Sequence, residues 1–223
     1  MKRTKLKDCN LPNYTKGEEI MNMTSHIVGG AIGISALVLC LVFAVKHHDG
    51  YALASSIVFG LSMILLYTIS SIYHGLRNIK AKKVFQVIDH CTIFVLIAGS
   101  YTPILLCTVR TYNTALAWTL FGIIWAFAIL GITLNAIDLK KYKTFSMICY
   151  LLMGWCIVIT APKLAPVITV KGMALLIAGG ISYTVGAILY MIGAKKHYYH
   201  FVFHIFVDIG SLLHFLCILL YII

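Results

Sequence analysis

Acidic residues are scarce in this chain: seven Asp and Glu stand against eighteen Lys and Arg in 223 residues. Charged residues of both signs make up 11%, where a soluble domain carries about 25%. That shortage excludes an ordinary water-soluble domain. Also missing are any CxxC pair, any glycine-rich phosphate loop, any internal repeat and any low-complexity tract. Their absence argues against a disulfide framework, Cys-ligated zinc, and P-loop or dinucleotide chemistry. All cysteines but Cys9 fall inside apolar runs, where the thiol behaves as a small hydrophobe. Met1 to Glu19 offers neither a short apolar region nor a small-residue cleavage site. The expectation is therefore no cleaved signal, and a first span that acts as its own insertion signal.

What the chain does have is hydrocarbon. It is 61% hydrophobic, and its mean hydropathy is +0.93. A bilayer core asks for about 20 apolar residues per helix. Seven runs qualify: Ser25–Lys46, Tyr51–Leu76, Val84–Thr108, Ala115–Ile137, Thr144–Pro162, Val170–Ala194 and Tyr199–Ile223. The turns between them are short. The pattern predicts an all-α integral membrane protein, a seven-transmembrane helical bundle forming one domain over residues 1–223.

The net charge of +11 invites a nucleic-acid reading, but its distribution argues for topology instead. Lys and Arg collect on the cytoplasmic side of membrane proteins. Lys2, Arg3, Lys5, Lys7 and Lys16 precede the first run; Arg77, Lys80, Lys82 and Lys83 follow the second. Lys140, Lys141 and Lys143 follow the fourth, and Lys195 and Lys196 the sixth. The alternate turns hold only Lys46, Arg110, Lys163 and Lys171, so the count is fourteen against four. The expected topology is a cytoplasmic amino terminus, with residues 1–24 as a basic segment, and a carboxyl terminus outside. The expected location is the cell membrane, as a multi-pass protein of a bacterial plasma membrane.

Four ionisable residues interrupt the runs at one depth. His74 ends the second run, Asp89 lies about one turn into the third, and His200 and His204 open the seventh. At 1.5 Å per residue they fall within roughly 10 Å of one boundary. A central Asp alone costs on the order of 2.5–3.5 kcal/mol to insert. His200-Phe-Val-Phe-His204 places two imidazoles at i and i+4 on one helical face, within reach of one ion. His74 would complete a three-histidine site, leaving a fourth position for water as in catalytic zinc. Soluble zinc proteases carry Glu after the first His, whereas Phe201 stands here, so Asp89 becomes the candidate general base. Ser70, one turn from His74, is placed to hold substrate or water. A lone span histidine is ordinarily bonded to a neighbouring helix, but the shared depth of all four favours a metal.

Other residues read more plainly. His90 points about 100° from Asp89 and reads as polar packing. His47 and His48 fall in a turn; His214 is about 15 Å along the helix from His204, too far to share its ion. His26 is near the right depth, and Asp208 extends the His200–His204 stripe by a turn. Gly29 and Gly33, and Gly179, Gly180 and Gly186, predict close helix packing. Pro103 predicts a kink.

At these residues the chain resembles the hemolysin III family, the bacterial branch grouped with the progestin and adipoQ receptors in a superfamily that includes alkaline ceramidases. The matching pieces are Glu19, Asn22 and His26; Ser70-Ile-Ser-Ile-Tyr-His74; Asp89-His90 with Gly99-Ser-Tyr-Thr-Pro103; and His200-Phe-Val-Phe-His204 with His214-Phe215. The resemblance implies a zinc ion (Zn2+) held by His74, His200 and His204, Asp89 on the metal's water, and an inside amino terminus. The adiponectin-receptor branch is associated with ceramide hydrolysis, and the bacterial branch is named for lysis of red cells, attributed to pores.

Three functions are weighed on this basis. The first is a zinc-dependent intramembrane hydrolase of lipid amide or ester bonds, with Asp89 managing protons. The second is a pore-forming cytolysin, against which no polar stripe crosses the whole bilayer. The third is a non-catalytic receptor or sensor with structural zinc. Membrane lipid is the expected partner and nucleic acid is not; no feature of the sequence sets a homo-oligomeric state.

Overall fold

Residues 4, 6–47, 49–193 and 196–223 are described by the computed structural model. Lys2, Arg3, Lys5, His48 and Lys195 lie outside them, as does Ala194, the predicted end of the sixth run. The described residues form a helical bundle: α1 (Lys16–Lys46), α2 (Gly50–Gly75), α3 (Ile79–Tyr112), α4 (Thr114–Trp155), α5 (Ala161–Gly193) and α6 (Tyr199–Tyr221). Among the described residues, six helices are long and apolar enough to cross a membrane.

Sharp turns separate the first four helices, and each is set by a side chain that caps the next helix. Thr15 and Glu18 form a reciprocal capping box at the start of α1. Asp49 accepts from the Tyr51 amide at 2.8 Å, Asn78 from Ala81 at 3.0 Å and Asn113 from Leu116 at 2.9 Å. The kink expected at Pro103 takes another form. The helix widens into a π-helical stretch over Ile104–Val109, which absorbs the missing amide bond without a break.

The seven predicted runs map onto six helices because the fourth and fifth share α4. That helix and the short 3-10 turn after it cover 46 residues, about 69 Å if straight, more than twice the hydrocarbon thickness. It is not straight. Asp138 leaves helical geometry (φ −159°, ψ 90°), and its carboxylate caps the amide of Lys141 at 3.1 Å. Ser146 donates to Asn135 at 2.6 Å across the break, although eleven residues of straight helix would hold them about 16 Å apart. The chain therefore folds back at Asp138, one residue past the predicted end of the fourth run. A second irregularity, Thr169 at φ 64° and ψ 168°, precedes Val170, the predicted start of the sixth. That conformation is strained for a β-branched residue.

Close approaches use the glycines singled out in the sequence. A Cβ on Gly33 would meet the Ile64 backbone at 3.1 Å, so α1 and α2 pack with little between them. Gly29 leaves room for Tyr67 and Asp208, and Gly179 for His214. The core is built around Phe59, Met63, Tyr67 and Phe94, each 1% exposed or less.

Candidate metal centre

The starts of α1, α3 and α6 meet the end of α2 at one end of the bundle. Glu19, Asn22, Ser25 and His26 come from α1, Ser70 and His74 from α2, Lys82 and Asp89 from α3, and His200 and His204 from α6. Here one ligand atom each from His74, His200 and His204 lies within 4.8 Å of the other two, close enough for the three residues to hold a metal ion.

The partners of each ring decide which nitrogen faces inward. His74 donates from Nδ1 to Glu19 Oε2 at 2.7 Å, which leaves its buried Nε2 with a lone pair and no hydrogen-bond partner. Glu19 is fixed in turn: Lys82 Nζ sits 2.7 Å from its other oxygen and donates to the carbonyls of His74 and Leu76 at 3.3 Å. His204 Nδ1 lies 3.2 Å from the Asn22 carbonyl, which can only accept, so this nitrogen carries the proton. Its Nε2 then faces His200 Nε2 at 3.1 Å. The lone pairs of His74 Nε2 and His204 Nε2 thus belong to the converging group, that of His74 without a hydrogen-bond partner and that of His204 facing only another imidazole, a donor set suited to a metal ion. Three imidazoles suit zinc, copper, iron or nickel better than calcium or magnesium.

Aromatic rings pack around this group. His26 stacks on His204 at 3.6 Å and 15°, with both its nitrogens buried and unpartnered. Tyr14 stacks on His200 at 5.0 Å, and its burial raises the phenol's pKa well above the ordinary value, so it remains neutral.

A cavity of about 640 Å³ opens beside the histidines. Asp89, Ser70, His200 and His204 all line it. Asp89 thus shares a cavity with His200 and His204 and lies outside the three-histidine group. The cavity runs along α6 from His200 to His214, about 21 Å of helix, between apolar walls such as Leu66, Leu96 and Val207. Residues Cys9 to Tyr14 also line it.

The remaining sequence candidates divide. His90 lines this cavity, with its ring 6.1 Å from that of Tyr190, and its backbone carbonyl accepts from Tyr150 at 2.7 Å. His214 lines the far end and lies 3.1 Å from the Leu176 carbonyl through Nε2. Asp208 is buried beside Gly29, with one oxygen unpartnered, and takes no place among the histidines. His47 is exposed, 2.9 Å from the Ile223 carbonyl. Sequence reasoning gave no role to Lys82 beyond its charge, or to Ser25. Glu19, Asn22 and His26 recur at i, i+3 and i+7 on α1, a helical stripe that could have marked them.

Fold and site together define a multi-pass membrane protein of the cell membrane with a buried three-histidine group. The model of the "Haemolysin-III related" family matches residues 14–215. The chain is 40% identical to Hemolysin-3 of Bacillus cereus over 205 residues, covering 92% of each. It is 38% identical to a Hemolysin-3 homolog of Bacillus subtilis (strain 168) over 208 residues, 93% of this chain and 96% of the relative. Human monocyte to macrophage differentiation factor is more distant, 25% identical over 170 residues, 72% of this chain and 67% of its own. The chain belongs to the haemolysin-III-related family.

Proposed function

We propose that this protein is a single seven-span domain, amino terminus in the cytosol, that hydrolyses lipid amide or ester bonds with a zinc ion held by His74, His200 and His204. The observation that carries this reading is the buried, unpartnered Nε2 of His74, turned toward the α6 pair at the head of an apolar cavity. The fold-back at Asp138 supports the seventh crossing. The fourteen-to-four charge count supports the topology, and so does the placing of Lys82, Lys140, Lys143 and Lys196 at the histidine end.

Zinc at such a site supplies a water of lowered pKa and polarises a carbonyl. The chain's own residues do the rest. Glu19 and the Asn22 carbonyl hold two rings in the ligating tautomer. Asp89 takes a proton at its carboxylate and delivers it to the leaving amine or alcohol. Ser70 orients that carboxylate, and the apolar walls receive acyl chain and exclude water.

The test is elemental analysis of purified protein with turnover against a panel of lipid amides and esters. Near-stoichiometric zinc in wild type, lost in His200→Ala and His204→Ala together with turnover, is the expected result. Wild-type protein purified without chelators and free of zinc would overturn it; zinc without turnover on any substrate would favour a sensor. The name of the Bacillus cereus relative, Hemolysin-3, favours a second reading as a cytolysin. Bilayer conductance that survives loss of all three histidines would select that reading.

A further inference from the structure

We infer that the cavity mouth is a binding site for the phosphate of a lipid headgroup, so that the substrate is an anionic phospholipid. This rests on the hydrolase reading and narrows its substrate class. Lys140, Lys143 and Lys196 line the cavity and are exposed, which marks where it meets the surface; they come from the second arm of α4 and from the turn before α6. Among the described residues none of the three has a carboxylate within 4 Å; the ion pairs join His74 and Lys82 to Glu19, and His197 to Glu18.

The acids on the cavity wall are already engaged. Glu18 is occupied by the Thr15 amide at 2.8 Å, the Tyr198 amide at 2.8 Å and His197 at 3.3 Å. Asp89 is half-buried and lines the cavity with Ser70. Topology alone places lysines at this end, but it does not gather three of them around one opening while Arg77, Lys80 and Lys141 stay off it.

The spacing matches the chemistry. Lys143 Nζ is 5.0 Å from the Tyr190 ring, and that ring is 5.8 Å from His200. An anion held by Lys143 is thus separated from the histidines by one aromatic ring. In a glycerol-based lipid only a few bonds separate the phosphate from the acyl carbonyls. A phosphate at the lysines would bring a carbonyl to the histidines and send the acyl chain down the 21 Å wall toward His214, about the length of a fatty acyl chain.

The test uses full-length protein in nanodiscs of equal phosphatidylglycerol and phosphatidylcholine, with retained lipid counted by native mass spectrometry. Wild type should keep phosphatidylglycerol preferentially. Lys143→Gln should reduce that preference about fivefold, and the triple variant Lys140→Gln, Lys143→Gln, Lys196→Gln by about fivefold per lysine. The control Arg77→Gln, Lys80→Gln, Lys141→Gln removes equal charge away from the mouth and should leave the preference intact. Equal loss in the control would reduce the effect to surface potential and overturn the site. So would an unselective wild type, or displacement of the lipid by millimolar inorganic phosphate, which would assign the lysines to the free anion. Failure of the hydrolase reading shows separately, in zinc content and turnover, neither of which this measurement uses.

Discussion

The two ends of this bundle are built on different terms. Away from the histidines, Leu164, Ile168 and Cys217 are fully buried, and Ile104 is 3% exposed among them. Hydrocarbon packing dominates there, and the Cys217 thiol donates to the Gly172 carbonyl at 3.3 Å. At the histidine end Glu18, Asn22, His26, His74, Lys82 and His204 are all buried, each costly to remove from water. An apolar filling would stabilise that end at least as well, since buried ion pairs are weak sources of stability. Polar burial on this scale, repeated on four helices, is what a chemical site requires and a scaffold does not.

Variants at each end sharpen that contrast. His204→Ala should have the largest effect, reducing bound zinc below a tenth of an equivalent by elemental analysis while the helices stay intact by circular dichroism. Leu164→Ala should do the reverse. It should cost about 2–5 kcal/mol of stability by thermal unfolding in detergent, with zinc stoichiometry unchanged. Loss of zinc there would show that the two ends are coupled and break the comparison. Glu19→Gln comes next, weakening metal affinity about 10–100-fold in a chelator competition, because it replaces the charged acceptor of the His74 Nδ1–H with a neutral amide. Unchanged affinity would reduce Glu19 to a structural tie. The smallest effect is Asp138→Ala, which removes the cap at the fold-back and should cost about 1 kcal/mol with zinc retained.

Much of the site was readable along the chain. The i, i+4 spacing of His200 and His204 is a local property of any helix, and His74 was placed by its depth alone; these three are the residues whose nitrogens converge. Asp89 and Ser70 were read at the same level and line the adjoining cavity. The predicted end of the fourth run and start of the sixth fall within one residue of the irregularities at Asp138 and Thr169, because lysines and a broken apolar pattern mark both places. The helix count was harder. A hydropathy pattern registers apolar lengths, whereas helix number depends on whether one residue leaves helical geometry, as Asp138 does inside α4.

Less legible was everything that orients the rings. Glu19 reaches His74 across 55 residues and the Asn22 carbonyl reaches His204 across 182. The stacking of His26 on His204 and the turn of His90 and His214 toward one cavity join helices in the same way.

From its order of residues alone the chain determined a membrane environment, a charge bias between its turns, and which imidazoles share a depth. Those follow from transfer free energy and the helical rise, which act on each segment separately. Only the packed bundle decided which nitrogen of each histidine faces inward, which carboxylate holds it there, and how far a cavity extends beside it. Those depend on atoms brought into hydrogen-bonding contact from distant helices, and no local period encodes such a contact.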